Sequence, residues 1–112
     1  PNSELTLPLA KPIRYAFCSD TTYKPDIVPL IKNVDLLYHE ATFLSDREDL
    51  ALKTKHSTAK QAAQIAKEAN VKQLVLGHYS GRYKEVLSFK TEATEVFKNT
   101  DVAEAGKVFT VN

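Results

Sequence analysis

The chain has little that would cross-link it, anchor it or carry it out of a cell. It holds a single cysteine, Cys18, so no disulfide forms within it, which fits a reducing compartment. No apolar run approaches the length needed to cross a bilayer. Net charge is only +1, so the overall balance does not announce a nucleic-acid partner, and local basic groups would have to make any such contact. Methionine is absent, and the opening Pro1-Asn2-Ser3-Glu4 has neither an initiator nor a charged-then-apolar signal pattern. The expectation is a cytoplasmic protein whose true start lies upstream. There is no internal repeat, linker or low-complexity tract. What remains is 112 residues, 43% hydrophobic and 26% charged: enough for one compact soluble domain and not for two.

Within that length, short apolar runs end abruptly in polar words. Ile13-Arg-Tyr-Ala-Phe-Cys18 is aromatic and β-favouring and reads as a first central strand. Upstream, Leu5, Leu7 and Leu9 alternate as in an edge strand that Pro8 keeps short. Pro25 opens a helix that Pro29 makes short or irregular and Asn33 ends. Val34–Tyr38 is a second strand, with His39 and Glu40 at its exit. Ser45 and Glu48 form one capping-box pattern, opening a short helix to about Lys53, and Thr58 and Gln61 form another. The helix after Thr58 carries Ala59, Ala62, Ala63, Ala66 and Ala69 on one face, which lets it lie close on a sheet, and Asn70 stops it. Gln73–Leu76 is a third strand that runs into Gly77 and His78. A longer helix follows, marked by Val86, Phe89, Ala93, Val96 and Phe97, and Lys107–Val111 reads as a last strand. Strands alternating with helices predict an α/β fold with a largely parallel sheet. Right-handed crossovers put successive strand exits on one edge, where such folds bind ligands. Asp20, His39, Glu40 and His78 converge there.

Each of these residues has two readings. Asp20 and His78 offer an oxygen and an imidazole nitrogen suited to zinc or a similar ion. Equally, Asp20 is a strand-end turn residue binding loop amides, and His78 is hydrogen-bonded to a neighbouring loop. Glu40 and His56 lie on loops reaching the same edge. A carboxylate that accepts from one imidazole nitrogen orients the ring, and the other nitrogen then delivers a proton. The plainer reading pairs Glu40 with a lysine such as Lys55 and leaves His56 beside a helix cap. His39 faces away from Glu40 by strand alternation and reads as a packed structural residue. Arg82 either forks onto a phosphate or faces solvent. Cys18 reads as a small hydrophobe in a buried strand. Lys53, Lys55, Lys60 and Lys67 form a mostly solvated helix face, with Lys55 a candidate phosphate contact.

Taken together, four words carry a resemblance: Cys-Ser-Asp-Thr at 18–21, His-Glu-Ala-Thr-Phe at 39–43, His-Ser-Thr-Ala at 56–59 and Gly-His-Tyr-Ser-Gly-Arg-Tyr at 77–83. In this order they resemble ribonuclease Z, the tRNA 3′-processing endonuclease of the metallo-β-lactamase superfamily. The resemblance implies half of an αββα sandwich. It implies that Asp20 bridges two zinc ions and that His78 completes the second. It makes Glu40 and His56 the pair that protonates the leaving oxygen, and sets Ser80, Arg82 and Tyr83 near the substrate phosphate and the tRNA acceptor end. The substrate implied is precursor tRNA, attacked by a metal-activated water and cut to a tRNA 3′-hydroxyl and a 5′-phosphorylated trailer.

One departure matters. The family carries a His-x-His-x-Asp-His motif ahead of the part seen here, while this chain has only His39, His56 and His78. Residues 1–112 are therefore expected to be the carboxyl-terminal half of the domain, binding zinc weakly and cutting little or nothing alone. A half-domain exposes apolar surface, so a homodimer is expected. Two other functions stay open: a metallo-β-lactamase-fold hydrolase of a small ester, and a non-catalytic α/β interaction module.

Overall fold

A computed structural model of the chain describes residues 13–18 and 23–103. Four strands, β1 (Tyr15–Cys18), β2 (Leu36–Glu40), β3 (Gln73–Gly77) and β4 (Thr100–Val102), form one sheet in sequential order, every pair parallel. A 3-10 helix at Pro25–Ile31 joins the first two strands. Helices α1 (Glu48–Thr54) and α2 (Ala59–Ala69) join β2 to β3, and α3 (Leu87–Thr94) joins β3 to β4. Because the crossovers run in one direction with one hand, they stack on one face of the sheet. Strand alternation agrees: Leu37, Leu74, Leu76 and Val102 enter the core under the helices, with Ala16 and Cys18 packed against it. Tyr15 and Phe17, one residue out of phase, lie on the other face and are largely exposed. Phe17 stacks there on Tyr38, ring centroids 5.9 Å apart.

The alanine face of α2 does what its spacing predicts. Ala59, Ala62, Ala63, Ala66 and Ala69 are all fully buried, with Ile65 beside them. Burying each of the large side chains Leu37, Ile65, Leu74, Leu76 and Phe89 contributes about 2 kcal/mol. The Thr58 capping box forms in full: Thr58 Oγ1 accepts from Gln61 N at 3.1 Å, and Gln61 Oε1 accepts from Thr58 N at 2.9 Å. Asn70 ends α2 in the left-handed conformation, φ 55°, which an asparagine tolerates.

Several expectations change. The Ser45–Glu48 capping box does not form, and Ser45–Arg47 is a 3-10 turn leading into α1. Ser45 N–H donates instead to Glu92 Oε1 at 2.9 Å, and Glu92 Oε2 accepts from Lys60 N at 2.9 Å. One carboxylate from α3 thus serves two helix starts, a long-range cap that local spacing does not encode. The second strand lies two residues later than expected, so His39 and Glu40 belong to it. The last long helix ends at Thr94, and Thr100–Val102, unanticipated in the sequence, is a strand. Cys18 is half-buried rather than buried, although burial still pushes its thiol above the usual range. The expected strands at Leu5–Leu9 and Lys107–Val111 lie outside the described residues.

Candidate metal and acid-base site

All four strands being parallel, their carboxyl ends share one edge. Glu40, the last residue of β2, pairs in register with Gly77, the last of β3. Ala41 N–H donates to Gly77 O at 2.8 Å, and His78 follows directly. Backbone bonds then draw in the loop before α2. Thr42 N donates to Ser57 O at 3.0 Å, Ala59 N to Phe43 O at 3.0 Å, and Ser80 N to Thr42 O at 2.9 Å. Residues far apart in sequence are held together by main chain, which fixes their side chains better than loop packing alone.

Glu40 is fully buried, and its carboxylate is the hub. Its Oε1 accepts from His56 Nδ1 at 2.9 Å. Its Oε2 accepts from Thr42 Oγ1 at 2.6 Å and from Ser57 N at 3.2 Å. The pairing of Glu40 with Lys55 therefore gives way to pairing with His56; Lys55, in the left-handed conformation with φ 63°, ends α1 and is exposed. Thr42 Oγ1 also lies 3.2 Å from His78 Nδ1, and the His56 and His78 rings sit 5.3 Å apart. The His56 side chain is 23% exposed, so a substrate can reach the ring while the carboxylate behind it stays dry.

His78 has φ 62°, a left-handed backbone unusual for a residue with a side chain. Such a conformation costs about 1–3 kcal/mol and persists only where surrounding bonds hold it, as Gly77 O and Ser80 N do on either side. Gly77 is required for a different reason, since a Cβ there would overlap the Tyr38 phenol.

Donor atoms of Glu40, His56 and His78 lie within 4.8 Å of one another, a carboxylate and two imidazoles of the kind that bind zinc. Their hydrogen bonds divide the cluster. Both Glu40 oxygens are engaged by N–H and O–H donors, and His56 commits Nδ1 to Glu40, which is the geometry that acid-base chemistry needs. His78 places Nδ1 3.2 Å from Thr42 Oγ1, so Nε2 is the ring atom that could meet a cation. Among the described residues this is one fitting ligand, fewer than a closed zinc site needs. Asp20, expected beside it, lies outside the described residues.

The remaining expected residues line the adjacent loop. Ser80 Oγ accepts from Arg82 N at 3.3 Å, tightening the turn. Arg82 is exposed and carries its guanidinium 5.9 Å from the Phe43 ring centroid, beside His56. Tyr83 is an anchor. Its hydroxyl accepts from Leu44 N at 3.1 Å and donates to Asp46 Oδ1 at 2.8 Å, while its ring meets Phe89 edge-on at 5.1 Å. Burial pushes its phenol above the usual value. His39 is fully buried under the helices, as alternation predicts. Its Nδ1 donates to Glu40 O at 2.7 Å, and its Nε2 has no partner among the described residues. Thr42 is the participant that residue-type reasoning passes over, because a threonine carries no charge to single it out; its place between Glu40 and the loop was the only signal.

The chain is similar to several known proteins. Ribonuclease Z from Porphyromonas gingivalis strain W83 is 56% identical over 103 residues, 92% of this chain and 34% of its own length. Ribonuclease Z from Bacteroides thetaiotaomicron is 49% identical over all 112 residues, again 35% of its own length. The chain thus spans about a third of these curated relatives. Among solved structures, the metallo-beta-lactamase fold protein YhfI from Bacillus subtilis superposes with a TM-score of 0.76 at 29% identity, over 83% of this chain and 38% of that one. Human tRNase Z, short form, superposes with a TM-score of 0.60 at 34% identity, over 76% of this chain and 27% of that one. Residues 7–79 match the beta-lactamase superfamily domain, more than half of the sequence, and the chain belongs to that superfamily.

Proposed function

We propose that this chain is the carboxyl-terminal half of the catalytic domain of a cytoplasmic, zinc-dependent endoribonuclease that removes the 3′ trailer from precursor tRNA. The observation that carries the reading is the Glu40–His56 contact at 2.9 Å beside His78, in a chain about half identical to ribonuclease Z. In this reading Asp20 and His78 hold two zinc ions together with ligands from the rest of the protein. When bound, the metal supplies an activated water and positive charge against the developing phosphorane. The chain's own residues do the remainder. Glu40 accepts a hydrogen bond from His56 Nδ1–H and fixes the ring. The doubly protonated ring then releases its Nε2 proton to the O3′ atom as the P–O3′ bond breaks, which leaves a 3′-hydroxyl on the tRNA and the phosphate on the trailer. Arg82, with Ser80 shaping its turn, meets the backbone phosphate, and Tyr83 braces that loop toward the acceptor end.

Two further parts of the proposal follow. The chain alone holds zinc weakly because it offers too few ligands. It pairs with a second copy through the face of the sheet that the helices leave uncovered, where Tyr15 and Phe17 are exposed.

Cleavage of precursor tRNA by the full-length protein tests the assignment. His56→Ala is expected to lower the rate by about 10²–10⁴-fold, the usual worth of a positioned acid. Undiminished cleavage by that variant, or no cleavage of precursor tRNA by the parent, would overturn it.

A further inference from the structure

We propose that Thr42 is a positioning residue that sets the tautomer of His78 and ties it to the Glu40–His56 pair; this rests on the reading of His78 as a metal ligand. A threonine hydroxyl has one proton to give. Oγ1 lies 2.6 Å from Glu40 Oε2 and 3.2 Å from His78 Nδ1. Glu40 already takes N–H bonds from His56 and Ser57, as an ionised carboxylate does, so it can only accept from Thr42. The proton therefore points to Glu40, and charge assistance accounts for the shorter contact. Toward His78 the oxygen can then only accept. Nδ1 of His78 must carry hydrogen, and its Nε2 keeps the lone pair that a cation requires.

The threonine is held for this task. It is 7% exposed, and its β-branched side chain has few rotamers. Its N–H is bonded to Ser57 O in the loop that carries His56, and its carbonyl to Ser80 N in the loop that carries His78. His78 Nδ1–H donates to Thr42 and Thr42 O–H to Glu40, which also accepts from His56 Nδ1–H, so the two chains of donors meet at one carboxylate that links the ligand to the proton donor.

Histidine ¹⁵N spectra of the metal-free chain test this apart from any nuclease activity. Only three histidines contribute, and His39→Gln and His56→Gln variants assign them. At about pH 8, above the usual histidine range, His78 is expected as the Nδ1–H form. Thr42→Val should shift it toward Nε2–H, and Thr42→Ser should retain the wild-type pattern. In the full-length protein, Thr42→Val should weaken zinc binding by about 10–100-fold, the typical cost of losing a partner behind a ligand, while Thr42→Ser stays near wild type. An Nε2–H form of His78 in the wild-type chain overturns the proposal, and that result needs no folded variant. So does an unchanged tautomer or unchanged zinc affinity in a folded Thr42→Val. A shifted tautomer with no precursor tRNA cleavage by the parent would instead uphold the Thr42 geometry and refute the nuclease reading.

Discussion

Removing the Glu40 carboxylate should cost more than any surface substitution, and the geometry says how much. Among the described residues three donors converge on it inside the fold: Thr42 O–H at 2.6 Å, His56 Nδ1–H at 2.9 Å and Ser57 N–H at 3.2 Å. Leaving a buried donor without its acceptor costs about 1–3 kcal/mol. Two of the three have an escape. Thr42 can turn its proton to His78 once that ring changes tautomer, and His56, partly exposed, can change tautomer or meet water. The Ser57 N–H is main chain in a loop whose carbonyl is held by Thr42 N and Phe43 N, so it cannot turn away as a side chain can. Adding the cavity, Glu40→Ala should destabilise the chain by about 3–5 kcal/mol, a large share of a typical domain's total. Glu40→Gln keeps the volume and one acceptor oxygen. His56 can then accept from the new amide through a changed tautomer, and the cost should be about 1–2 kcal/mol. Urea unfolding of the three chains, followed by circular dichroism, measures both differences. A loss below about 1 kcal/mol for Glu40→Ala, or a larger loss for Gln than for Ala, would refute the hub arrangement.

Two more outcomes can be stated. Burial pushes the His39 ring below its ordinary value of 6.5, so below about that pH the unfolded chain takes up a proton that the folded chain refuses. Stability from this group is complete at higher pH, falls as the pH drops through about 6.5, and stops falling once the folded ring also protonates; His39→Gln should show a smaller drop in urea midpoint between about pH 7 and 5 than the parent chain, and equal drops would contradict it. Phe17 is 73% exposed and Tyr15 53% exposed on the sheet face that the described helices do not cover, so the chain should sediment as a dimer and Phe17→Glu as a monomer; a wild-type chain that runs as a monomer would count against the dimer.

The alanine face of α2, its Thr58–Gln61 cap and its Asn70 stop were legible because each depends on residues within a few positions. So was the convergence of Glu40 and His78 on one edge, since parallel strands with one-handed crossovers put their exits there; the bonds between the Thr42–Phe43 and Ser57–Ala59 segments bring His56 to them. The Ser45 cap and β4 were not legible. Ser45 has its N–H bonded by Glu92, forty-seven positions away, and Thr100–Val102 is three residues long and becomes a strand only by pairing with Leu74–Leu76. The alternation of strands and helices by itself determined the fold class, because chain order and strand length constrain the topology, and four short words in order carried the family resemblance. Only the tertiary structure decided which groups touch: that Glu40 pairs with His56 and not Lys55, that Tyr83 anchors to Asp46, and that Thr42 stands between Glu40 and His78. Those choices turn on distances of a few tenths of an ångström, which main-chain bonds between distant loops set and no local spacing can carry.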